Sequence, residues 1–412
     1  MRIAIVNHNC NILGGVEMYL SCLIPVLHKL GHEVSFWYEE SAVTSRPQIV
    51  VPQGVPSWSA SELGEERAIS ALQAWRPDVI YSHGLRSISA ERRIQSLAPG
   101  IFFAHSYYGT CISGHKTFRR PKVKVCDRQL GWQCFLHYYP RRCGGLNPLV
   151  MLKEYRLQAD RLNLLAQYET IIVASDHMAD EYRKHGLANK LMVVRYHPMC
   201  VASEHVPAKN FQLPKTEWRL LFIGRMEFLK GGDCFLEALP IAQRELGVTL
   251  HVTFAGDGLL KAQWQARAEQ LAAQHAGLKF DFLGWISAER RDALLREKDL
   301  IVVPSLGPEP FGLIGLEAGQ YGVPSVAFAV GGISQWLQDG FNGFLAAPDD
   351  PKERNLATAI VRCLQDVRVY QRLSRGALAQ AERFDRRTHM ATLLPLLERA
   401  ASQGAGEADT RG

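Results

Sequence analysis

The stretch at residues 308–318 reads PEPFGLIGLEA and carries two glutamates, Glu309 and Glu317, eight residues apart. Pro310 fits the first turn of a helix, where its missing N–H costs nothing. Eight residues is a little over two helical turns, so both carboxylates can lie on similar sides of one segment, with Glu309 in the loop before the helix and Glu317 inside it. Gly312 leaves the N–H groups at the helix start unshielded, and such groups bind anions. The stretch predicts a site for a phosphorylated, hydroxyl-rich molecule, although the spacing equally fits an amphipathic helix with surface glutamates.

Two cations follow a buried strand upstream of this stretch. Arg225 and Lys230 come after the predicted strand Arg219–Ile223, and a second glycine turn, Gly331-Gly332, follows the strand Ser325–Phe328. Ligands bind at the carboxyl edge of an open parallel sheet. One forked and one point-like cation together can neutralise a diphosphate. Taken without their neighbours, two such charges are more often solvated surface residues.

Strands and helices alternate along the chain, which predicts parallel sheets with helices on both faces. The length of 412 residues suits two domains. The region from Pro198 to Glu217, with three prolines and no periodicity, is the predicted linker. The predicted strands are Met1–Val6, Val34–Trp37, Asp78–Ser82, Ile101–Ala104, Thr170–Ala174, Leu191–Arg195, Arg219–Ile223, Leu250–Ala255, Lys279–Phe282, Leu300–Val303 and Ser325–Phe328.

An ordered set of motifs resembles the retaining family 4 glycosyltransferases. The set is Gly224-Arg225, Lys230-Gly231-Gly232, Gly256-Asp257-Gly258, Phe282-Leu283-Gly284, Pro304-Ser305, Glu309 to Glu317, and Gly331-Gly332. The resemblance implies an α/β fold of two Rossmann-like doubly wound domains facing across a cleft, the GT-B architecture. It implies an acceptor-side domain at 1–200 with a crossing-back helix at 385–402, a nucleotide-sugar-binding domain at 201–384, and a flexible tail at 403–412.

The resemblance also assigns roles. Arg225 and Lys230 would stabilise the departing diphosphate, Glu309 would contact the donor sugar near its anomeric centre, and Glu317 would hold the ribose hydroxyls. His105 would touch the same sugar from the other domain. No cofactor or metal is implied, and the donor is a nucleotide-diphosphate sugar. The complete set of predicted donor-binding residues is Gly14, Gly15, Gly224, Arg225, Lys230, Trp285, Ile286, Glu309, Gly312, Leu313, Ile314 and Glu317.

Three features of the amino-terminal half also follow strands. Gly14-Gly15 opens a helix straight after the first strand, so its N–H groups can reach a phosphate or a sugar, or can simply form a tight turn. His105 follows the strand Ile101–Ala104, where a lone histidine is more often structural; the resemblance favours a role at the reacting sugar. His83 and His8 have similar placements and weaker claims.

The segment from Ser106 to Leu149, here called the insertion, combines cysteines, cations and aromatic residues. Three interpretations stay open. Its four cysteines could bind structural zinc, although close CxxC pairs are missing. Its basic and aromatic residues could contact an anionic membrane surface or a lipid-diphosphate acceptor. It could also be a solvated cover on the acceptor side. The cysteines are Cys111, Cys126, Cys134 and Cys143.

Composition narrows the functional classes. A net charge of +6 permits membrane attraction, but no nucleic-acid-binding module accompanies the charge. No apolar run reaches the ~18 residues of a membrane span, and the amino terminus predicts a strand, so we expect a cytoplasmic protein that can bind the inner face of the membrane peripherally. The expected acceptor is a sugar or lipid-linked sugar in cell-envelope or exopolysaccharide assembly. The alternatives are glycosylation of a small molecule, a sugar-nucleotide epimerase and a non-catalytic binding module.

Overall fold

The computed structural model describes residues 1–41, 46–194, 209 and 215–409. Their contacts divide the chain into two compact units. The first unit comprises the described parts of residues 1–122, 126–200 and 385–412, and the second comprises those of 123–125 and 201–384. Among the described residues, no helix is both long and apolar enough to cross a membrane.

The first unit is built on a parallel seven-stranded sheet with the order β3-β2-β1-β4-β5-β8-β9. Its central strands are almost fully buried because helices cover both faces. The strands up to residue 194 are β1 Arg2–Asn9, β2 Glu33–Glu40, β3 Ser57–Ser59, β4 Val79–Ser82, β5 Gly100–Ala104, β6 Thr117–Phe118, β7 Lys124–Val125, β8 Thr170–Val173 and β9 Leu191–Val193.

The helices of this part of the chain connect parallel strands. Helix α1 buries Tyr19, Leu20, Leu23, Ile24 and Leu27 along one stripe, which is the pattern of an amphipathic helix. The helices are α1 Gly15–Lys29, α2 Ala60–Leu63, α3 Glu65–Trp75, α4 Ile88–Gln95, α5 Gln133–Tyr138, α6 Pro148–Leu165 and α7 Asp176–Lys184.

The second unit repeats the design with a parallel six-stranded sheet in the order β12-β11-β10-β13-β14-β15. Its strands are β10 Glu217–Ile223, β11 Thr249–Ala255, β12 Leu278–Gly284, β13 Leu300–Val303, β14 Ser325–Phe328 and β15 Gly343–Ala346. Its helices are α8 Gly232–Leu246, α9 Lys261–Gln274, α10 Ala288–Glu297, α11 Leu313–Gly319, α12 Lys352–Leu364 and α13 Val367–Glu382.

The last helix, α14 (Arg386–Asp409), belongs to the first unit, where it packs near β4 and β5. Nε2 of His389 in α14 lies 2.8 Å from the hydroxyl of Tyr19 in α1. The sequence predicted an end of this helix at Ala400 and a flexible tail at 403–412. The backbone is helical to Asp409, past the two glycines Gly404 and Gly406, so the helix extends beyond its predicted end at Ala400. The flexibility of the tail stays a prediction.

The predicted strands are present with small differences in length. Four strands were missed. β3, β6 and β7 have only two or three residues, and β15 begins with a glycine, a residue that is depleted in strands. Most of the predicted linker lies outside the described residues, and its last residue, Glu217, is the first of β10. Arg195, the predicted end of β9, also lies outside them.

Candidate active site

The two elements that carry the main charged residues lie side by side in the second sheet. β10 pairs with β11 on one side and with β13 on the other, so the strand order reverses there. A reversal of strand order opens a crevice at the carboxyl edge of an open sheet, and ligands bind in such crevices. Lys230 follows β10 and Glu309 follows β13, so both residues lie at this crevice.

Glu309 and Lys230 form an ion pair. Nζ of Lys230 donates to Oε1 of Glu309 over 2.6 Å, and the Ser305 hydroxyl donates to the same oxygen over 2.5 Å. Burial alone would raise the pKa of Glu309, but Lys230 and Ser305, with a further contribution from Arg225, bring it below the ordinary value. Glu309 is therefore an ionised hydrogen-bond acceptor at neutral pH.

Glycines allow the loops that hold this pair to approach each other. Gly231 has a φ of +71°, and a Cβ on it would lie 1.8 Å from the carbonyl oxygen of Pro304. The N–H of Leu306 donates to the Leu229 carbonyl in the same place. The loop that carries Lys230 is thus joined backbone to backbone to the loop that carries Glu309.

The second glycine turn supports Glu309 from the opposite side. Gly331 has a φ of +61°, and a Cβ there would lie 2.2 Å from the Glu309 carbonyl oxygen. The N–H of Gly332 donates to that same oxygen over 2.7 Å. The Gly331-Gly332 pair therefore fixes the backbone of Glu309, a positioning role that the sequence did not predict.

Arg225 lies at the open end of the crevice. Its side chain is 68% exposed, and Nη1 lies 3.3 Å from Oε1 of Glu227. The N–H of Met226, the next residue, donates to the carbonyl of Asp257, which holds the Arg225 loop against the turn after β11. The guanidinium is accessible to a ligand and close enough to affect the pKa of Glu309.

One expectation about residues 308–318 is wrong. Helix α11 begins at Leu313 with Gly312 as its N-cap at φ 84°, so Pro310 precedes the helix and does not occupy its first turn. Glu309 lies in the loop before the helix and Glu317 lies inside it, as the sequence predicts. The left-handed conformation of Gly312 delays the helix, and the indole of Trp336 secures this turn by donating to the Phe311 carbonyl.

Glu317 lies inside α11 and is buried. Its Oε1 is 3.5 Å from Nη1 of Arg291, which projects from α10. Burial raises the pKa of Glu317, Arg291 opposes the shift, and Asp292 adds to it. Sequence reasoning missed Arg291, because nothing in the pattern of α10 distinguishes it from the other cations of that helix.

The remaining predicted donor contacts in the second unit have these positions. Trp285 and Ile286 form the loop between β12 and α10, where the Trp285 side chain is exposed. The N–H of Gly224 donates to the Ala255 carbonyl and so belongs to the loop framework. Gly312, Leu313 and Ile314 begin α11, where first-turn N–H groups have no partner within the helix. Their contacts to a donor stay predictions.

In the first unit, Gly14 and Gly15 begin α1 as predicted, but Gly14 already has a partner. Its N–H donates over 3.0 Å to Oε2 of Glu17, the acidic residue in the first turn. An anion at this helix start would have to displace the Glu17 carboxylate. The predicted role of Gly14 is weakened by this contact, which the sequence reasoning did not consider.

His105 is paired with His83. Nε2 of His105 lies 2.8 Å from Nδ1 of His83, and the two rings are stacked with centroids 5.1 Å apart. Burial lowers the pKa of His105 to about 3 and that of His83 well below its ordinary value. Both imidazoles are neutral at physiological pH, and one must donate to the other. His8, the third histidine, pairs instead with Glu39 over 2.8 Å.

Two family models match this chain. The model described as Glycosyltransferase Family 4 matches residues 13–198, and the model described as Glycosyl transferases group 1 matches residues 217–366. The chain belongs to glycosyltransferase family 4. The two matched segments correspond to the two sheets described above.

Curated relatives of this family 4 protein are matched over part of their length. An uncharacterized glycosyltransferase of Methanocaldococcus jannaschii is 31% identical over 159 residues, which is 38% of this chain and 38% of that one. A glycogen synthase of Mycobacterium tuberculosis is 34% identical over 311 residues, which is 74% of this chain and 64% of that one. The chain thus spans less than two thirds of either relative.

The fold of this family 4 protein is GT-B, as in its solved structural neighbours. The crystal structure of Anabaena HepE in complex with UDP and glucose has a TM-score of 0.66 and 17% sequence identity. The match covers 97% of this chain and 100% of that one. At this identity the likeness establishes the fold, and the predicted α/β class of two Rossmann-like domains is confirmed.

Proposed function

We propose that this protein is a retaining, metal-independent glycosyltransferase that moves a sugar from a nucleotide-diphosphate sugar to an acceptor hydroxyl. The observation that carries the proposal is the Lys230–Glu309 ion pair at the point where the second sheet reverses its strand order. An ionised carboxylate and an ammonium side by side suit a ligand that offers both hydroxyl donors and phosphate oxygens.

The cations would act on the leaving group. A nucleoside diphosphate gains negative charge as the glycosidic bond breaks, and fixed cations lower the free energy of that transition state. Lys230 is held in place by its ion pair with Glu309. The exposed Arg225 guanidinium can offer a forked pair of N–H donors. These two side chains would supply the charge that a divalent ion supplies elsewhere. Helix α11 has only seven residues, so the proposal does not depend on its amino terminus.

The two carboxylates would bind different parts of the donor. Glu309 has a lowered pKa and lies beside the cations, so it would accept hydrogen bonds from sugar hydroxyls next to the diphosphate. Glu317 is buried one element away and is oriented by Arg291, so it would accept from the ribose hydroxyls. We assign the two carboxylates to different parts of the donor because each contacts a different cation, Lys230 for Glu309 and Arg291 for Glu317.

We further propose a lipid-linked acceptor in cell-envelope assembly, with peripheral attachment at the inner face of the membrane. Exposed apolar side chains lie on α5 and at the start of α6, two helices joined by the Phe135 and Tyr155 rings at 4.5 Å. Exposed cations of the same insertion complement anionic headgroups. The apolar side chains, here called the apolar patch, are Trp132, Leu136, Leu146, Leu149 and Val150, and the cations are Arg119, Arg120, Lys122 and Arg128.

Donor use is tested by a thermal-shift screen against UDP-, GDP-, ADP- and dTDP-sugars. One of them should raise the melting temperature, and product formation should follow with an acceptor. The anomeric configuration of the product, read by NMR from its coupling constants, tests retention. An inverted product contradicts the retaining mechanism, and binding without turnover on any acceptor contradicts catalysis.

Membrane attachment is tested by sedimentation with vesicles of anionic or neutral lipid. Trp132→Ser and Leu149→Ser should each weaken binding to anionic vesicles, because their side chains are 66% and 74% exposed. Leu259→Ser, at a side chain 95% exposed in the second unit, is the matched control and should change nothing. Equal binding of all variants contradicts the assignment of the surface.

A further inference from the structure

Four cysteines of the insertion meet at one cavity. They are separated by fifteen, eight and nine positions in the sequence, and they come from four segments of backbone. The cavity has a volume of about 30 Å³ and is lined by all four thiols together with His137 and Lys116. A cavity of this size holds about one small ion or water molecule. The four, here called the cysteine cluster, are Cys111, Cys126, Cys134 and Cys143.

Backbone N–H groups are directed at the sulfur atoms. The N–H of Lys116 donates to Sγ of Cys111 over 3.4 Å. A backbone hydrogen bond from Arg128 reaches Cys126, and one from Gly131 reaches Cys134. N–H donors at sulfur favour thiolates, and such outer contacts orient the ligands of a metal.

The four thiols lie close together, because all of them line this one cavity. Four thiolates around one point repel each other, and a divalent cation between them removes that repulsion. All four are free thiols and not disulfides.

Few other contacts stabilise the part of the insertion that carries the cysteines. Its hydrophobic cluster has three buried residues, Ile112 and Tyr138 of the insertion and Met151 of α6. At its base it is fixed to α7, where the buried Lys116 Nζ lies 2.5 Å from Oε1 of Glu181. A small segment with such a core usually needs a disulfide or a metal to hold one conformation.

We propose that the cysteine cluster binds one structural zinc ion, with the four sulfurs as its tetrahedral ligands. Structural zinc takes four cysteines at about 2.3 Å. The described residues contain no group of three or more histidine, cysteine or carboxylate side chains arranged to hold a metal. Formation of the site therefore requires the thiols to rotate into the cavity that they line. Zinc would tie the segments that carry the apolar patch to the base of the insertion.

The proposal is tested on the full-length protein purified under reducing conditions. Elemental analysis should find about one zinc per chain. Replacement of zinc by cobalt should give the charge-transfer and d–d absorption bands of a tetrahedral cobalt thiolate. Cys143→Ser should lower the zinc content and change the cobalt spectrum, whereas Cys234→Ser should change neither. Cys234 is the matched control because it is a buried free cysteine of the second unit.

The wild-type measurements decide the matter even if a cysteine variant fails to fold. A reduced protein that holds no zinc after incubation with the ion overturns the proposal. Iron in place of zinc also overturns it, as does a cobalt spectrum without thiolate bands. Disulfides within the cluster, found by alkylation of the denatured protein, would overturn it as well. Zinc that persists at full stoichiometry in Cys143→Ser would show that the metal lies elsewhere.

Discussion

Replacement of Lys230 by methionine should cost more stability than the loss of one surface charge. Methionine keeps most of the side-chain length but leaves the Glu309 carboxylate, whose side chain is 15% exposed, without the partner at 2.6 Å. Removing one member of a buried pair costs roughly 3–5 kcal/mol. Lys230 is 29% exposed, and the Ser305 hydroxyl remains on the carboxylate, so we expect about 2 kcal/mol. For a unit of this size that lowers the melting temperature by about 4–8 °C.

The loss of stability in Lys230→Met should become smaller as the pH falls. Because the folded-state pKa of Glu309 lies below its ordinary value, its ionisation contributes stability above the unfolded-state pKa. That contribution is lost as the pH falls through the folded-state value. Lys230→Met and the wild type should therefore converge in stability under acid conditions and differ most near neutral pH.

Denaturant unfolding and nucleotide titration separate stability from function. The double variant Lys230→Met with Glu309→Gln should regain most of the lost stability, since no unpaired charge stays buried. It should not regain donor affinity, which we expect to fall by about 10- to 100-fold for a lost charge-assisted contact. Lys279→Met is the control, because Lys279 pairs with Glu217 at 3.1 Å on the surface and should cost about 0–1 kcal/mol.

Two outcomes would refute this reasoning. One is equal destabilisation by Lys230→Met and by the surface control, which would mean that the pair is solvated. The other is full donor affinity in the double variant, which would mean that neither side chain touches the donor.

Three further predictions concern the surroundings of this pair. Gly331→Ala should destabilise the protein by several kcal/mol and weaken donor binding, because its Cβ would collide with the Glu309 backbone; unfolding and nucleotide titration measure both. Arg291→Met should raise the pKa of Glu317 further, because Arg291 opposes the raised pKa of that carboxyl. Nucleotide affinity, which falls when Glu317 is protonated, should then be lost at a higher pH than in the wild type. Nucleotide titrations across pH 5–8 measure this. The ring signals of His105 should not titrate between pH 5 and 8, since burial lowers its pKa to about 3, and NMR records this.

Each of these has a control. Gly247→Ala shares the left-handed φ of +66° but meets no atom within 4 Å, so it should cost only about 1 kcal/mol. If it matched Gly331→Ala, the collision argument would be wrong. Arg290→Met removes an exposed neighbour of Arg291 and should leave the pH profile unchanged. Surface histidines are the internal reference for the NMR titration, and a His105 signal that moves with theirs would contradict the buried pair.

The strands and their order in the chain were predictable because buried parallel strands are short continuous apolar runs. β13 and β14 have the predicted bounds, Leu300–Val303 and Ser325–Phe328. The charged residues after these strands were predictable for a related reason, since parallel strands place all their carboxyl ends at one edge. The edge strands β3 and β15 lack this signal, because β3 has a single apolar residue between two serines and β15 begins with a glycine.

At two helix starts, the sequence did not predict the local conformation or contacts. Pro310 and Gly312 both favour a helix start, and only the packed structure decides that the left-handed Gly312 is the cap. At α1, the sequence shows a glycine pair, but whether its N–H binds a ligand or the Glu17 side chain depends on rotamers that no spacing encodes.

The sequence by itself determined the class of fold, the edge of each sheet that carries charge and the family of the chain. These depend on local hydrophobicity and on short motifs, which are read directly from neighbouring residues. Only the tertiary structure decided which charged side chains contact each other. Lys230 meets Glu309 across 79 positions, and Arg291 meets Glu317 from another helix. Such contacts depend on which strands pair and how loops pack, and burial then fixes the charge that each group holds.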